Sequence, residues 1–505
     1  MQAVLFAGCE PEVAAGVDGR ILAVGEGARS AAGRRARVVR LRGQAWPGLI
    51  DAHVHLEGLA DRHLTLDLTG VPSLEEALAR IASWAERLPP DGWLVGSGWY
   101  NDAWPDPTFP NRAQLDRAAG GRPALLRRKD GHSAWVSSVA LKLAGIDRAT
   151  EDPPGGTIDR DKGGEPAGIL RETAMQLVGV LVPHPSEAEL DDTMARALAD
   201  LAALGLTGVH SMDTARGFGS WQRLRARGAL PLRITYNLPL ADLPHAERIG
   251  VRSGWGDEWL RIWGVKAFLD GSLGSRTAEM LDGSGTARLT QADLLDLVER
   301  CARAELNVCL HAIGDGAVRR ALDALAPHRE AWASWRPRIE HAQCVNPKDV
   351  KRFARIGVIA SMQPIHAVAD RELVEQCWPR VAAQSYAWGA LERAGARLAF
   401  GSDAPVETAD PLAGIEAATV WRRKVRWHAE LAMSHAVALR AYTSGAAYAV
   451  GMEKDTGALR PGRLCDMTVV DEGRVVATVV GGKVSFLGKP PAASQRSASR
   501  PRSRP

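Results

Sequence analysis

Two histidines lie two residues apart in the stretch PGLIDAHVHL, residues 47–56. The apolar residues around them, including Val54 and Leu56, are typical of a buried strand, and side chains at positions i and i+2 of a strand share one face. His53 and His55 can therefore point at a single ion. Neutral imidazole is a ligand that Zn²⁺ favours, although two histidines at this spacing are weak evidence on their own.

Four further polar residues lie at or near the ends of short apolar runs. They are Lys266 in IWGVKAFL, His311 in NVCLHAI, His341 in RIEHAQ and Asp403 in ARLAFGSD. Taken alone, His341 is more typical of a hydrogen-bonded core residue, and Asp403 before Ala-Pro is typical of a turn cap. Together with the histidine pair they place six candidate ligands on five predicted strands. We therefore predict a divalent metal site, with Zn²⁺ as the expected ion.

Lys266 has two interpretations, because an unpaired ammonium group inside an apolar strand is costly. In the first, it forms an ion pair with Asp270 or another interior carboxylate. In the second, burial beside cations lowers the pKa of the amine, which then takes up CO₂ and gives a carbamate that bridges two metal ions. Two ions are expected only in the second case.

The candidate ligands lie on apolar strands that alternate with capped helices. Ser186 with Glu189 predicts a capping box, and Asn346 followed by Pro347 predicts a helix start. The apolar runs cover residues 47–56, 206–212, 232–238, 262–269, 307–313, 338–343, 357–363 and 396–403. Such strands belong to a parallel sheet that is buried on both faces. Eight strand–helix units predict an α/β fold, a (β/α)8 TIM-type barrel, whose chemistry lies at the C-terminal strand ends.

The remaining segments predict the domain organisation. We expect the barrel to span residues 47–454, with an insertion at about 89–175 that contains extra strands and Pro-rich joints. The Val/Gly-rich segments 1–46 and 455–488 predict one small β-sandwich formed from both chain ends. Residues 489–505 are rich in Ser, Arg and Pro, and we expect a disordered basic tail.

The charge of the chain is concentrated in that tail. The formal net charge is +4, and residues 489–505 hold five basic residues and no acid, so the body carries 4 − 5 = −1. A nearly neutral body offers no broad electrostatic field for nucleic acid, so the charge argues against a nucleic-acid partner. A partner role restricted to the tail is the alternative.

Other features of the composition concern location. No window approaches the roughly 18 uninterrupted apolar residues of a membrane span, so we expect no membrane partner. The short N-terminal apolar run lacks a basic leader and does not fit a signal peptide. Six scattered cysteines without a C-x-x-C pair are typical of reduced thiols in a cytoplasmic protein.

Longer motifs carry a resemblance from about residue 20 to about residue 485. The motifs are PGLIDAHVHL, SGWYND, KDGHSAWVSSVALKLAGI, GILRETA, VKAFLDGSLGSRTA, LHAIGDGAV, IEHAQ, ASMQPIHA, FGSDAPVE, ALRAYTSGAAYAVGME and GALRPGRLCDMTVVD. They resemble the amidohydrolase superfamily, specifically amidohydrolase family 3, the branch that includes N-substituted formamide deformylases.

This resemblance implies a barrel with a terminal β-sandwich and a metal-dependent hydrolase. The metal-site residues that it implies are His53, His55, His311, His341 and Asp403. Lys266 occupies the position at which two-metal members carry a carboxylated lysine. The implied activity is hydrolysis of a non-peptide carbon–nitrogen bond (EC 3.5 type) in a small amide, formamide or related molecule. Metal ions lower the pKa of bound water, and Asp403 is then expected to act as general base and afterwards as general acid.

Several residues of the matching motifs are candidates for substrate contact. His132 is a candidate donor to the developing oxyanion, or else makes a structural hydrogen bond in its loop. Trp99 and Tyr100 can line an apolar pocket, or pack in a core or lid. Arg276 can hold a substrate carboxylate with its planar guanidinium, or anchor its own loop.

Two rival functions remain at this stage. A mononuclear metal-dependent deaminase is the nearer rival, but such enzymes typically lack the lysine on the fourth strand, and HAIGDGA offers Asp315 where they place a glutamate. A catalytically silent barrel that binds a ligand is the second rival, although all six ligand positions are filled. A homodimer is the assembly expected for this class.

Overall fold

The computed structural model describes residues 2–89, 91–129, 133–274 and 276–488. The predicted site residue His132 and the predicted tail, 489–505, lie outside the described residues. In chain order the strands are β1 (Val4–Glu10), β2 (Val13–Ala15), β3 (Ile21–Val24), β4 (Arg37–Pro47), β5 (Leu49–Val54), β6 (Leu66–Asp67), β7 (Leu94–Trp99), β8 (Ala124–Arg128), β9 (Ser133–Val136), β10 (Gly156–Arg160), β11 (Pro166–Glu172), β12 (Leu206–Ser211), β13 (Arg233–Pro239), β14 (Leu260–Phe268), β15 (Asn307–Ala312), β16 (Arg338–His341), β17 (Ile359–Met362), β18 (Arg397–Phe400), β19 (Met467–Asp471), β20 (Arg474–Val480) and β21 (Lys483–Leu487). The α-helices are α1 (Ala28–Ala32), α2 (Leu56–Leu64), α3 (Leu74–Ala85), α4 (Arg112–Ala118), α5 (Ser138–Leu143), α6 (Met175–Gly179), α7 (Glu187–Ala203), α8 (Ala215–Ala226), α9 (Leu243–Ile249), α10 (Gln291–Ala304), α11 (Asp315–Leu325), α12 (Pro347–Ile356), α13 (His366–Cys377), α14 (Trp388–Arg393), α15 (Pro411–Glu416), α16 (Arg422–Lys424), α17 (His435–Arg440) and α18 (Ala446–Ala449).

Eight parallel strands form a nearly closed barrel. Their order is β5, β12, β13, β14, β15, β16, β17 and β18, and each strand pairs in parallel with the next. Backbone hydrogen bonds join the chain after the last strand to the first strand. Asp403 N donates to His53 O over 2.7 Å, and His55 N donates to Ala404 O over 2.8 Å. The predicted α/β barrel is therefore confirmed.

The strands of the barrel are buried on both faces, as their apolar sequences predict. Every residue of β5, β12 and β15 is buried. One polar residue among them, Asp51, accepts hydrogen bonds from Ser402 N over 3.0 Å and Ser402 Oγ over 2.5 Å. Asp51 of the first barrel strand is thus hydrogen-bonded to Ser402, which follows the last barrel strand, and these bonds help to close the barrel.

Local caps explain where the predicted helices begin. The side chain of Asn346 accepts a hydrogen bond from Lys348 N, and Pro347 is the first residue of α12, where its missing N–H costs nothing. Ser186 Oγ accepts from Glu189 N over 3.3 Å, while Ser186 N donates to Glu189 Oε2 over 2.9 Å. Both helix starts are where the sequence predicts them.

The two chain ends form one seven-stranded sheet. Its order is β21, β20, β19, β4, β1, β2 and β3, so strands from the C-terminal part pair with a strand from the N-terminal part. Its core includes Phe6, Val13, Met467 and Val469. Thr468 Oγ1 accepts from Leu49 N over 3.2 Å, which ties this sheet to the first barrel strand.

A second compact unit spans Gly58–Arg196. It contains a six-stranded sheet in the order β10, β11, β9, β8, β7 and β6. Its largest core cluster contains Trp99, Trp104 and Trp135. This segment includes the predicted insertion, whose limits, like the other predicted domain limits, stay a prediction.

Two further features concern the whole described chain. None of the helices within residues 2–89, 91–129, 133–274 and 276–488 is both long enough and apolar enough to span a membrane. All six cysteines carry free thiols.

Candidate metal centre

The barrel brings several of the predicted ligands to one point at its C-terminal end. His53 comes from β5 and His55 directly follows that strand, while Lys266 comes from β14 and Asp403 from the segment after β18. His53 Nε2 and His55 Nε2 lie 3.4 Å and 3.1 Å from the same atom, Asp403 Oδ1. Lys266 Nζ lies 3.3 Å from His53 Nε2. One carboxylate oxygen therefore lies between the two imidazoles of the H-x-H pair.

His341 and His311 extend this group along the next two strands. The ring centroids of His53 and His341 are 4.8 Å apart, and those of His341 and His311 are 4.5 Å apart. His53, His341 and Asp403 each offer one ligand atom, and these atoms lie within 4.8 Å of one another. The structure thus brings all six predicted residues into one connected cluster.

Unsatisfied nitrogens test whether the cluster fits a metal ion. Nδ1 of His311 and Nδ1 of His341 are buried and have no hydrogen-bond partner among the residues that the structure describes. His311 Nε2 lies 3.0 Å from Gly271 O, to which it donates, so Nδ1 keeps its lone pair. Buried polar atoms are normally paired. Neutral imidazoles with one carboxylate are a donor set that suits a divalent cation such as Zn²⁺, and the residues present fit such an ion.

The backbone is strained at two of these residues. His341 has φ +72° and Asp403 has φ +60°, in the left-handed region that non-glycine residues rarely adopt. Each such conformation costs on the order of 1–3 kcal/mol and persists only where the surrounding structure imposes it. At Asp403 the hydrogen bond from its N–H to His53 O imposes it, and that bond places the carboxylate against the histidine pair.

A buried ion pair lies next to His53 Nδ1, the ring nitrogen on the side away from Asp403. His53 Nδ1 lies 2.7 Å from Glu340 Oε2, and Arg338 Nε lies 2.8 Å from Glu340 Oε1, with all three side chains fully buried. Burial by itself would raise the pKa of Glu340, but Arg338 and His53 hold it well below its ordinary value. The ionised carboxylate therefore accepts a hydrogen bond from His53 Nδ1–H, which leaves the lone pair of His53 Nε2 free to bind a cation.

Burial also keeps the ligand nitrogens uncharged. It lowers the pKa of His53 to about 4 and that of His311 to about 3, with the charge of Lys266 as the next cause in each case. Burial likewise lowers the pKa of the Lys266 amine. A nitrogen must be unprotonated to bind a metal, so these directions favour binding at neutral pH.

Besides Glu340 and Arg338, two polar side chains at the site were not identified from the sequence. Asp213 Oδ1 lies 3.8 Å from His55 Nδ1, while its Oδ2 accepts hydrogen bonds from Leu56 N and Ser211 Oγ, each over 2.7 Å. Burial raises the pKa of Asp213 to about 6. His366 Nε2 lies 3.7 Å from Asp403 Oδ2. Both residues lie shortly after barrel strands. A search for polar residues near the ends of apolar runs, the pattern that identified His311, would also have identified them.

The predicted substrate-contacting residues have different surroundings. Trp99 is fully buried in the second unit, where its Nε1 donates to Leu126 O over 2.8 Å. Tyr100 is 37% exposed, and the Arg128 guanidinium lies 4.7 Å from its ring centroid. Arg276 lies in the loop after β14 and lines a cavity described below.

Comparisons with known proteins identify the family of the chain. A family model described as "Amidohydrolase family" matches residues 39–486. "Putative amidohydrolase YtcJ" of Bacillus subtilis (strain 168) is 30% identical over 445 residues, which are 84% of this chain and 83% of that protein. "N-substituted formamide deformylase" of Arthrobacter pascens is 28% identical over 489 residues, 90% of this chain and 89% of that protein.

A solved structure shows the same fold. The crystal structure of an uncharacterized metal-dependent hydrolase from Pyrococcus furiosus superposes with a TM-score of 0.75 and 27% identity, covering 93% of this chain and 99% of that one. The family and this neighbour both imply a divalent metal and hydrolase chemistry, in agreement with the cluster at the barrel mouth. The chain belongs to the amidohydrolase family.

Proposed function

We propose that the chain hydrolyses a non-peptide carbon–nitrogen bond in a small amide, formamide or related molecule. The observation that carries this proposal is the position of the Asp403 carboxylate, whose Oδ1 lies 3.4 Å and 3.1 Å from the two imidazoles of the H-x-H pair. A carboxylate there is close enough to the cation that those imidazoles would hold to exchange protons with a water molecule beside it. The deformylase relative is named for cleavage of such a bond.

His53, His55, His341, His311 and Asp403 are the residues that would hold the cation, which we propose to be Zn²⁺. When bound, a divalent ion lowers the pKa of water toward about 7 and polarises a carbonyl oxygen. Asp403 accepts the proton of the attacking water and then donates it to the departing nitrogen, which leaves as a neutral amine. Its buried position beside three imidazoles holds the carboxylate in place for both steps.

We propose that Lys266 is carboxylated. Its side chain is 3% exposed and makes no salt bridge to Asp270, or to any other carboxylate of the described residues. The neutral amine attacks the carbon of CO₂, forms a carbamate and releases one proton. The carbamate would provide a second anionic ligand beside His53 Nε2, which is the arrangement that two ions require.

Four further parts of the proposal concern contacts and location. On the motif resemblance alone, we assign His132 to the oxyanion of the reaction and Tyr100 to an apolar wall, whereas Trp99 is fully buried and packs in the core of its own unit. Arg276 is assigned to a substrate carboxylate on structural grounds that are developed in the next subsection. A cytoplasmic homodimer stays a prediction.

The test compares Asp403→Asn with Asp296→Asn, a control on the exposed face of α10 where Asp296 is 64% exposed. Hydrolysis of a panel of N-formyl and N-acyl amines is measured with the metal content of each variant. We expect Asp403→Asn to lower kcat by about 10²–10⁴-fold while most metal stays bound, because the general base is lost. Unchanged turnover in this variant would remove the assigned base.

Metal content also tests the carbamate. We expect wild-type protein to hold two ions per chain and Lys266→Ala to hold one or none. Lys266→Glu, which keeps a carboxylate, should recover part of the loss. One ion in both wild type and Lys266→Ala would contradict the carbamate without affecting the assignment of Asp403.

A further inference from the structure

A cavity of about 740 Å³ lies among the loops at the C-terminal end of the barrel. Leu273, Arg276 and Met280 of the loop after β14 line it, together with Trp378 and Arg380 from the segment after α13. Its volume is in the range of small-molecule sites. The lining combines apolar side chains with two guanidinium groups.

This cavity lies beside the metal centre and is separate from it. None of the six predicted ligands lines it. Leu273 of the cavity wall follows two residues after Gly271, whose carbonyl oxygen is 3.0 Å from His311 Nε2. Asn346, five residues after His341, forms part of another wall. Two walls of the cavity thus continue the segments that carry Lys266 and His341, and we expect a molecule with its scissile bond at the cluster to reach the cavity with its other end.

The two guanidinium groups of the cavity differ in their surroundings, because Arg380 lies near the Asp282 carboxylate. Asp282 accepts hydrogen bonds from Ser284 N over 2.9 Å and Ser284 Oγ over 2.6 Å; these bonds, and then the nearby Arg380, lower its pKa. Asp315 accepts a bond from Leu281 N over 2.9 Å. By contrast, the Arg276 side chain makes no hydrogen bond or salt bridge to any residue within the described ranges.

We propose that this cavity binds the distal end of the substrate, that this end carries a carboxylate, and that Arg276 binds it. The proposal rests on the proposed function, because it places the scissile bond at the metal centre. A guanidinium binds a carboxylate through two parallel N–H···O bonds, which selects a planar anion over a neutral group of the same shape. Leu273, Met280 and Trp378 would contact the apolar spacer between the two ends.

The test uses two probes that differ only at the distal end, 4-(formamidomethyl)benzoate and its neutral isostere 4-(formamidomethyl)benzamide. Metal-loaded wild type, Arg276→Gln and Arg303→Gln are compared. Arg303 is a control on α10, where its side chain is 69% exposed. We expect Arg276→Gln to reduce kcat/KM for the benzoate relative to the benzamide by about tenfold, mainly through KM, as loss of a charge-assisted hydrogen bond implies. Arg303→Gln should leave the ratio unchanged.

Calorimetric binding of the same probes separates this proposal from the proposed function. If neither probe is hydrolysed but the benzoate binds more tightly than the benzamide to wild type and equally to Arg276→Gln, the cavity assignment holds and formamide hydrolysis fails. Equal binding of both probes to wild type, or a benzoate preference that survives Arg276→Gln, would overturn the cavity assignment. Absence of binding by either probe would overturn it as well.

Discussion

The two histidines of the H-x-H pair have different surroundings. His53 is fully buried, and its Nδ1 lies 2.7 Å from a carboxylate that is itself paired with Arg338. The side chain of His55 is 30% exposed, and its nearest carboxylate on the Nδ1 side, Asp213, is 3.8 Å away. We call the group of His53, Glu340 and Arg338 the buried side and the group of His55 and Asp213 the open side.

This difference indicates a division of work within the candidate metal centre. On the buried side, hydrogen bonds fix the imidazole before any cation binds, which preorganises the site. On the open side, the looser contact leaves His55 room to adjust where water and substrate must enter. A catalytic metal site needs both a fixed ligand set and an accessible coordination position.

The largest effect is expected from breaking the buried side at Glu340. Glu340→Gln removes the charge that pairs with Arg338, and an unpaired buried charge costs about 3–5 kcal/mol of unfolding free energy. The neutral amide also orients His53 less well, so metal affinity should fall by about 10–100-fold. Chemical denaturation and metal titration measure the two effects.

A double variant separates these two consequences. Arg338→Met with Glu340→Leu removes both charges, so we expect it to recover much of the stability but none of the metal affinity. Equal metal affinity in wild type and in Glu340→Gln would contradict the role assigned to the buried side.

A change of pH is expected to have an intermediate effect on the free energy of unfolding. Because the pKa of His53 is lowered to about 4 and that of His311 to about 3, the unfolded chain takes up protons near pH 6.5 while the folded chain does not. The metal-free protein should therefore lose stability as the pH falls from about 6.5 towards 4, on the order of 1 kcal/mol per pH unit for each group. Urea unfolding at pH 7 and pH 5 measures this change.

The matched variant for this experiment is the double substitution His53→Asn and His311→Asn. It removes both groups, so its unfolding free energy should depend less on pH over the same interval. A pH dependence as steep as in the wild type would show that the buried histidines are not its source.

The smallest effect is expected on the open side. Asp213→Asn keeps an oxygen that can accept the hydrogen bonds from Leu56 N and Ser211 Oγ, and the lost charge lies 3.8 Å from His55. We expect metal affinity to fall by about threefold, well below the loss in Glu340→Gln, because this contact is not a direct hydrogen bond. If metal titration gives a larger loss for Asp213→Asn than for Glu340→Gln, the distinction between the two sides is wrong.

The sequence predicts the barrel because its strands are buried on both faces, and a continuous apolar run is a strong signal of that environment. The same logic identifies His53 and His55, whose spacing of two places both on one face. It does not identify Glu340, because strict alternation puts neighbouring strand residues on opposite faces. His341 is the last residue of β16 and has φ +72°, so the alternation ends there. The side chains of Glu340 and His341 can therefore both lie next to His53.

Other parts of the site depend on long-range contacts that no local pattern reports. Arg338 pairs with Glu340 two residues later, but His53, the donor that this carboxylate orients, lies 287 residues away from Glu340 in sequence. The cavity beside Arg276 likewise depends on the loop after β14 and the segment after α13 coming together. The fold can be predicted from local patterns, whereas these contacts follow only from the closed barrel.

The central claim is that the cluster around Asp403 holds a divalent cation, and elemental analysis of the purified chain by mass spectrometry tests it most directly. Wild-type protein should contain at least about one equivalent of a divalent cation, and the double variant His53→Asn with His341→Asn should contain almost none while its circular dichroism remains that of a folded barrel. A wild-type chain without such an ion after loading, or a double variant that holds as much as the wild type, would contradict the account.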